Sequence, residues 1–287
     1  MNKLIFDCDN TMGIYGKDVD DGLALLYLLG SKEIELVGVT TTYGNSNIEQ
    51  VYNNTVKMLY EDFNHREIPI LKGAVDKENR NSEAAQFLSS TVNNNIGEIT
   101  LLATGSLTNL YAAYEIDREF FSKLKKVVLM GGITEPLIIN GKQLEELNFS
   151  CDALASLKVL SSKGRVTVLT GNTCLQAYFT DKELKILKEQ GFNYIAENIE
   201  PWYDFIKKEF GIYGFYNWDI VAAVYAVNEE FFENNFVNVL STEEELKKGY
   251  LKLQDGKEGY NINIPQKIKD IESFKTDIFK AWERVKK

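Results

Sequence analysis

The chain has 287 residues, 44% hydrophobic and 26% charged, with a formal net charge of −10. That length can bury a large core, and 4 prolines with no Pro/Gly/Ser-rich linker predict a single domain over residues 1–287. The negative balance without a basic patch argues against nucleic acid as a partner, and no apolar run is long enough to span a membrane.

Leu4-Ile5-Phe6 reads as a buried strand that runs into Asp7 and Asp9. Asp20-Asp21-Gly22 then opens an apolar helix with two acids in its first turn, where the helix dipole favours negative charge. Further buried strands are expected at Ile34 to Thr40, Ile68 to Leu71, Ile99 to Ala103, Val127 to Met130 and Val166 to Leu169. Helices are expected at Asn47 to Tyr60, Ser106 to Glu115, Asp152 to Leu160 and Asp181 to Gln190. Asp219 to Val227 reads as a buried helix. Ile271 to Val285 reads as an amphipathic one, with Ile271, Phe274, Ile278, Trp282 and Val285 on one face. The alternation predicts an α/β fold: a mostly parallel, open, doubly wound sheet flanked by helices. The basic end, Lys280 to Lys287, reads as a solvated helix face. Cys8, Cys151 and Cys174 are an odd count without metal-ligand spacing, which predicts free thiols in a reducing compartment. With a strand beginning at once and no signal peptide, a cytoplasmic protein is expected.

Polar residues recur where the strands end: Asp7 and Asp9, then Thr41, Thr42 and Asn45, then Thr104, then Gly131 and Gly132. In an open α/β sheet the loops after the strands face the binding crevice. Carboxylates converging there repel one another unless a proton or cation neutralises them. Cys and His are scarce near the acids, so a hard cation, Ca²⁺ or Mg²⁺, fits better than zinc.

Six stretches carry a resemblance: DCDN…DVDDGLALLYLL, VTTTYGN, LLATGSLTNL, VVLMGG, N…ELNFSCDALA and NWDIVAAVY, spanning about Leu4 to Tyr225. In this order they resemble the inosine–uridine-type nucleoside hydrolases. The resemblance implies a Rossmann-like core binding one Ca²⁺ at the strand ends. It also implies hydrolysis of the N-glycosidic bond of ribonucleosides, as small-molecule substrates, to ribose and free base. By motif, Asp9, Asp21, Asp219 and the Thr104 carbonyl would hold Ca²⁺, with Asp7 as a ligand or a support behind it. Asp9 would be the general base on a metal-activated water. Asp20, Asn45, Asn140, Glu146 and Asn148 would hold the ribose hydroxyls. A homo-oligomer, dimer or tetramer, is implied as well.

Three departures qualify the match. Asn10 to Val19 is longer than usual, either a structural loop or one capping the site through Tyr15 or Lys17. Many members carry a His before the last metal Asp. This chain has Trp218, as in a purine-preferring branch that stacks Trp on the base, with Tyr203, Tyr213 or Tyr216 as candidate aromatic partners. Its single His is His65, read as exposed and structural, and the segment Asp76 to Ser82 lacks the family's His/Gly-rich loop. Two other functions fit parts of the chain. One is a non-catalytic nucleoside- or ribose-binding protein on the same fold. The other is a haloacid-dehalogenase-like phosphatase, with Asp7 as nucleophile, Asp9 as acid and Mg²⁺ as cofactor, suggested by Asp7-Cys8-Asp9-Asn10-Thr11.

Overall fold

The computed structural model describes residues 1–287. Its first strand, β1 (Asn2–Cys8), lies inside a nine-stranded sheet. Leu4 and Phe6 enter one apolar core and Ile5 the other, as the two-residue period of a strand requires when both faces are covered. Parallel neighbours follow on each side: β2 (Ile34–Thr41) and β3 (Ile70–Leu71) on one, β4 (Ile99–Ala103) and β5 (Lys126–Met130) on the other. A short antiparallel hairpin comes next, β6 (Leu137–Ile139) and β7 (Lys142–Leu144). Then β8 (Val166–Leu169) pairs parallel with β5.

Chain direction along the sheet reverses between β1 and β4. Asp7 is in register with Thr40 on one side and Ala103 on the other, so both strands deliver their C-terminal ends to this switch point. Beyond β8 the sheet continues with Tyr260–Asn263 in parallel, then Phe236–Val239 and Leu253–Gln254 antiparallel. The sequence reading did not include these edge strands.

Helix Asp20–Gly30 is buried along its length apart from Leu29. It packs between Trp218–Val227, which is apolar all round after its first turn, and the amphipathic Ile271–Val285. Trp282 is fully buried and its indole N–H donates to Leu23 O at 3.1 Å. Trp282→Ala is therefore expected to cost about 3–5 kcal/mol of stability, measured as a lowered urea midpoint with unchanged m-value.

Three elements differ from expectation. The helix from Asn47 is α-helical over Ile48–Val56, then widens into a π-turn over Lys57–Asp62, which sets Met58 Sδ 3.6 Å from Asn10 Nδ2. The aromatic stretch after Gly191 forms a long helix, Asn193–Phe210, despite Pro201 within it. Gly211 ends that helix with φ +68°. The β6–β7 hairpin is the third. No helix is long and apolar enough to cross a membrane.

Candidate active site

A cavity of about 220 Å³ opens at the strand ends. One half is polar, with Asp18, Asp20, Asn45, Thr104, Asn148 and Asp219 in its wall. The other half is apolar, walled by Trp202, Phe210, Phe215, Tyr216 and Trp218, and by Leu137 and Ile139 from the hairpin. The Tyr216 and Trp218 rings lie 5.2 Å apart, tilted by 38°.

β1 positions the first two aspartates. Asp7 is fully buried; its Oδ2 accepts from Thr40 Oγ1 at 2.6 Å and Asn109 Nδ2 at 2.8 Å. Burial pushes its carboxyl up to about 7, against those two donors. Asp7 does not line the cavity; it ties β1 to β2 and to helix Thr108–Ile116. Asp9 accepts from Asn45 through both oxygens, from the backbone N–H and from Nδ2. Burial raises it to about 6, opposed by hydrogen bonds with Asp21 and Asn45. Gly44 permits this approach, because a Cβ there would collide with Asp9 Oδ2.

The helix starts bring the remaining acids. Oxygens of Asp20, Asp21 and Asp219 all lie within 4.8 Å of one another, and all three residues are buried. Asp219 N donates to Asp20 Oδ2 at 3.2 Å, and Thr104 Oγ1 donates to Asp21 Oδ1 at 2.7 Å. Asp21 Oδ2 is buried without any partner. Burial and mutual repulsion hold Asp21 and Asp219 well above the usual carboxylate range, and burial raises Asp20. An all-oxygen cluster with an orphaned buried acceptor fits a hard divalent cation. The tight set contains Asp20, which the motif assigns to ribose, and leaves Asp9 beside it on Asn45.

The other expected site residues divide. Asn148 Nδ2 donates to Thr104 O at 2.9 Å and Met130 O at 3.1 Å, leaving its Oδ1 uncommitted at the cavity wall. The Thr104 carbonyl thus keeps one lone pair. Glu146 lines the cavity, but its oxygens accept from the backbone N–H groups of Gly132, Phe149 and Ser150, which fixes the turn before Asn148. Asn140 is not brought to the cavity. It is exposed in the hairpin turn at φ +48°, and its Nδ2 donates to Phe210 O at 2.7 Å. The hairpin bends the chain there, so Asn140 caps the end of helix Asn193–Phe210 instead.

The long loop after Asp9 has its own anchors. Asn54 Nδ2 donates to Asn10 O and Met12 O, and Thr11 Oγ1 donates to Asp18 O at 2.9 Å. Tyr15 is 71% exposed and edges onto Phe205, and Lys17 Nζ donates to Asn45 O at 2.7 Å; neither lines the cavity. Asp18 does, and the sequence reading passed over it although it stands in the same DVDD run. Trp202 and Phe210 also line it; both lie in the aromatic-rich stretch Trp202 to Trp218 expected to supply stacking partners, without being singled out in it. Among the aromatic candidates only Tyr216 lines the cavity: Tyr203 is buried on Asp181, and Tyr213 is exposed. His65 is half-buried, paired with Glu67 at 2.8 Å, and outside the cavity.

A family model described as inosine-uridine preferring nucleoside hydrolase matches residues 4–276. Uridine nucleosidase 1 of Arabidopsis thaliana is 28% identical over 261 residues, covering 80% of this chain and 75% of that protein. A solved plant nucleoside hydrolase matches with TM-score 0.85 at 22% identity, with 99% of each chain covered. The purine-preferring ribonucleoside hydrolase from Gardnerella vaginalis gives TM-score 0.84 at 23% identity, over 99% of this chain and 98% of that one. At those identities the two structures speak to the fold.

Proposed function

The chain belongs to the inosine–uridine preferring nucleoside hydrolase family, hydrolases of N-glycosyl bonds, and on that premise we propose a Ca²⁺-dependent ribonucleoside N-glycohydrolase that favours purines. The observation that carries this reading is the two-ended cavity. Carboxylates and amides at one end suit a polyhydroxylated sugar, and aromatic faces at the other suit a flat base.

Asp9, Asp21, Asp219 and the Thr104 carbonyl would hold the cation, with Asp7 supporting β1 from behind. When bound, the cation would acidify a water and orient vicinal ribose hydroxyls. Asp9 takes the proton of the attacking water, its carboxylate held in place by Asn45. Asp20, Asn45 and Asn148 present acceptors and donors to the ribose, and Glu146 keeps Asn148 in place. The carboxylates also favour the positive charge that builds on the sugar as the glycosidic bond breaks. Trp218 stacks on the base. A single domain, a cytoplasmic location and a homo-oligomer belong to the same reading; three free cysteines support a reducing compartment.

Release of base and ribose from inosine, adenosine, guanosine, uridine and cytidine, with Ca²⁺ and with chelator, tests the reading. Chelation is expected to abolish release, and the purines are expected to be the better substrates. Trp218→Ala is expected to lower kcat/KM for inosine by about tenfold or more, because stacking on a base is worth about 1–3 kcal/mol, with a smaller loss for uridine. Unchanged inosine kinetics in that variant would remove stacking from the mechanism.

A further inference from the structure

The cavity wall carries Asp18, Asp20, Glu145, Glu146 and Asp219, and not one Lys, Arg or His. Asp9 and Asp21 stand directly behind. Burial holds Asp18, Asp20 and Asp219 above the usual carboxylate range, with repulsion from neighbouring carboxylates adding at Asp18 and Asp219, so the wall favours any cation that draws their protons off. Two lysines touch residues of the lining and are committed there: Lys17 to the Asn45 carbonyl, and Lys142 to the Glu209 carbonyl over the Phe210 ring. Trp202, Phe210, Phe215, Tyr216 and Trp218 offer aromatic faces, and among these five the Tyr216 phenol is the ionisable group. The lone imidazole, His65, is paired with Glu67 elsewhere.

Such a cavity is poorly equipped to protonate a departing neutral base. It is well equipped to hold a positively charged one, by carboxylates at one end and cation–π faces at the other. We propose that the preferred substrates are ribonucleosides whose base already carries a positive charge, N7-alkylated purine or N-ribosylpyridinium nucleosides. The proposal rests on the nucleoside hydrolase reading and names its substrate class. In the reaction the water oxygen bonds to C1′ and the C1′–N bond breaks. The bonding pair passes to the ring, which leaves neutral. One water proton goes to the Asp9 carboxylate and the other stays on the new C1′ hydroxyl. No proton has to be delivered to the leaving group, so the absence of an acid in the base half carries no penalty.

Asp18 joins this wall from the long loop after Asp9. The inserted loop carries it in, its main chain fixed by Thr11 and its Oδ1 by the Val19 N–H at 2.7 Å. Glu145 adds an exposed carboxylate to the same lining.

The test compares 7-methylinosine with inosine on the Ca²⁺-loaded protein at about pH 5.5, where the methylated base keeps its N1 proton and the two differ by one methyl group and one charge. The cation is expected to have the higher kcat/KM, with a KM that rises with salt while that of inosine does not. Since 7-methylation also weakens the bond chemically, the deciding readout is the ratio of the two kcat/KM values in variants. Asp18→Asn and Glu145→Gln are each expected to lower that ratio by about threefold to tenfold. Glu145 is exposed, so its variant remains informative if Asp18→Asn folds poorly. A ratio unchanged in folded variants, a salt-independent KM for the cation, or inosine as the better substrate overturns the proposal and leaves the hydrolase reading standing. Cleavage of neither nucleoside overturns both.

Discussion

Asp9→Asn is expected to lower kcat on a nucleoside by about 10²–10⁴-fold, the usual contribution of a general base, while the bound nucleoside's Kd changes by far less. An amide has no lone pair basic enough to take a proton from water. It also cannot accept from Asn45 at both ends as the carboxylate does, since one end would present N–H to a donor. Burial sets the Asp9 carboxyl at about 6, and a nearby cation lowers it further, so the acid limb of the pH profile is expected at or below about pH 6. The variant is to be measured by base release under saturating substrate and, separately, by nucleoside binding. Full turnover in Asp9→Asn would remove Asp9 from the mechanism. Tight binding with no turnover in the unaltered protein, and affinity intact in Asp9→Ala, would identify a binding protein on this fold instead.

The parts of the molecule that local pattern determines were readable in advance. Leu4 to Phe6, Ile99 to Ala103 and Val166 to Leu169 are short apolar runs buried on both faces, and they form strands where expected. The acids of DVDD sit at a helix start because the dipole and the strand-to-helix turn place them there. What could not be read depends on where distant segments meet. Asn140 stands at motif spacing from Glu146, yet the intervening residues form a hairpin whose turn engages the end of a helix some 70 residues later. That helix was hidden by Pro201, and with it went Trp202 and Phe210, since an aromatic run without an assigned element gives no facing side. Phe236–Val239 and Tyr260–Asn263 are only four residues each, half-exposed and joined through Asn-rich pairing, so neither apolar alternation nor a continuous run marked them.

The acid cluster also sets a stability expectation, and its sign follows from the raised carboxyls. Asp7 moves from 3.8 to about 7 and Asp9 from 3.8 to about 6 on folding, with burial as the main cause of both. Between about pH 4 and pH 7 the folded chain therefore holds protons that the unfolded chain has released. Stability of the metal-free protein is complete below that window and is lost as pH rises through it, by up to about 1.4 kcal/mol per pH unit for each such proton. Asp21 and Asp219, also raised, act in the same direction. A divalent cation reverses the trend, because it binds the ionised cluster of the folded state only; at about a thousand times its Kd it adds about 4 kcal/mol. Calorimetric unfolding at pH 5 and pH 8, with Ca²⁺ and with chelator, is expected to show the chelated protein melting lower at pH 8, and the Ca²⁺ shift larger there than at pH 5. Asp219→Asn removes one of three crowded charges and one cation ligand together. It is expected to raise the melting point of the chelated protein at pH 8 and to erase most of the Ca²⁺ shift. A chelated protein equally stable at both pH values, with no response to Ca²⁺ in either, would show that the cluster is neutralised by protons alone and is not a cation site.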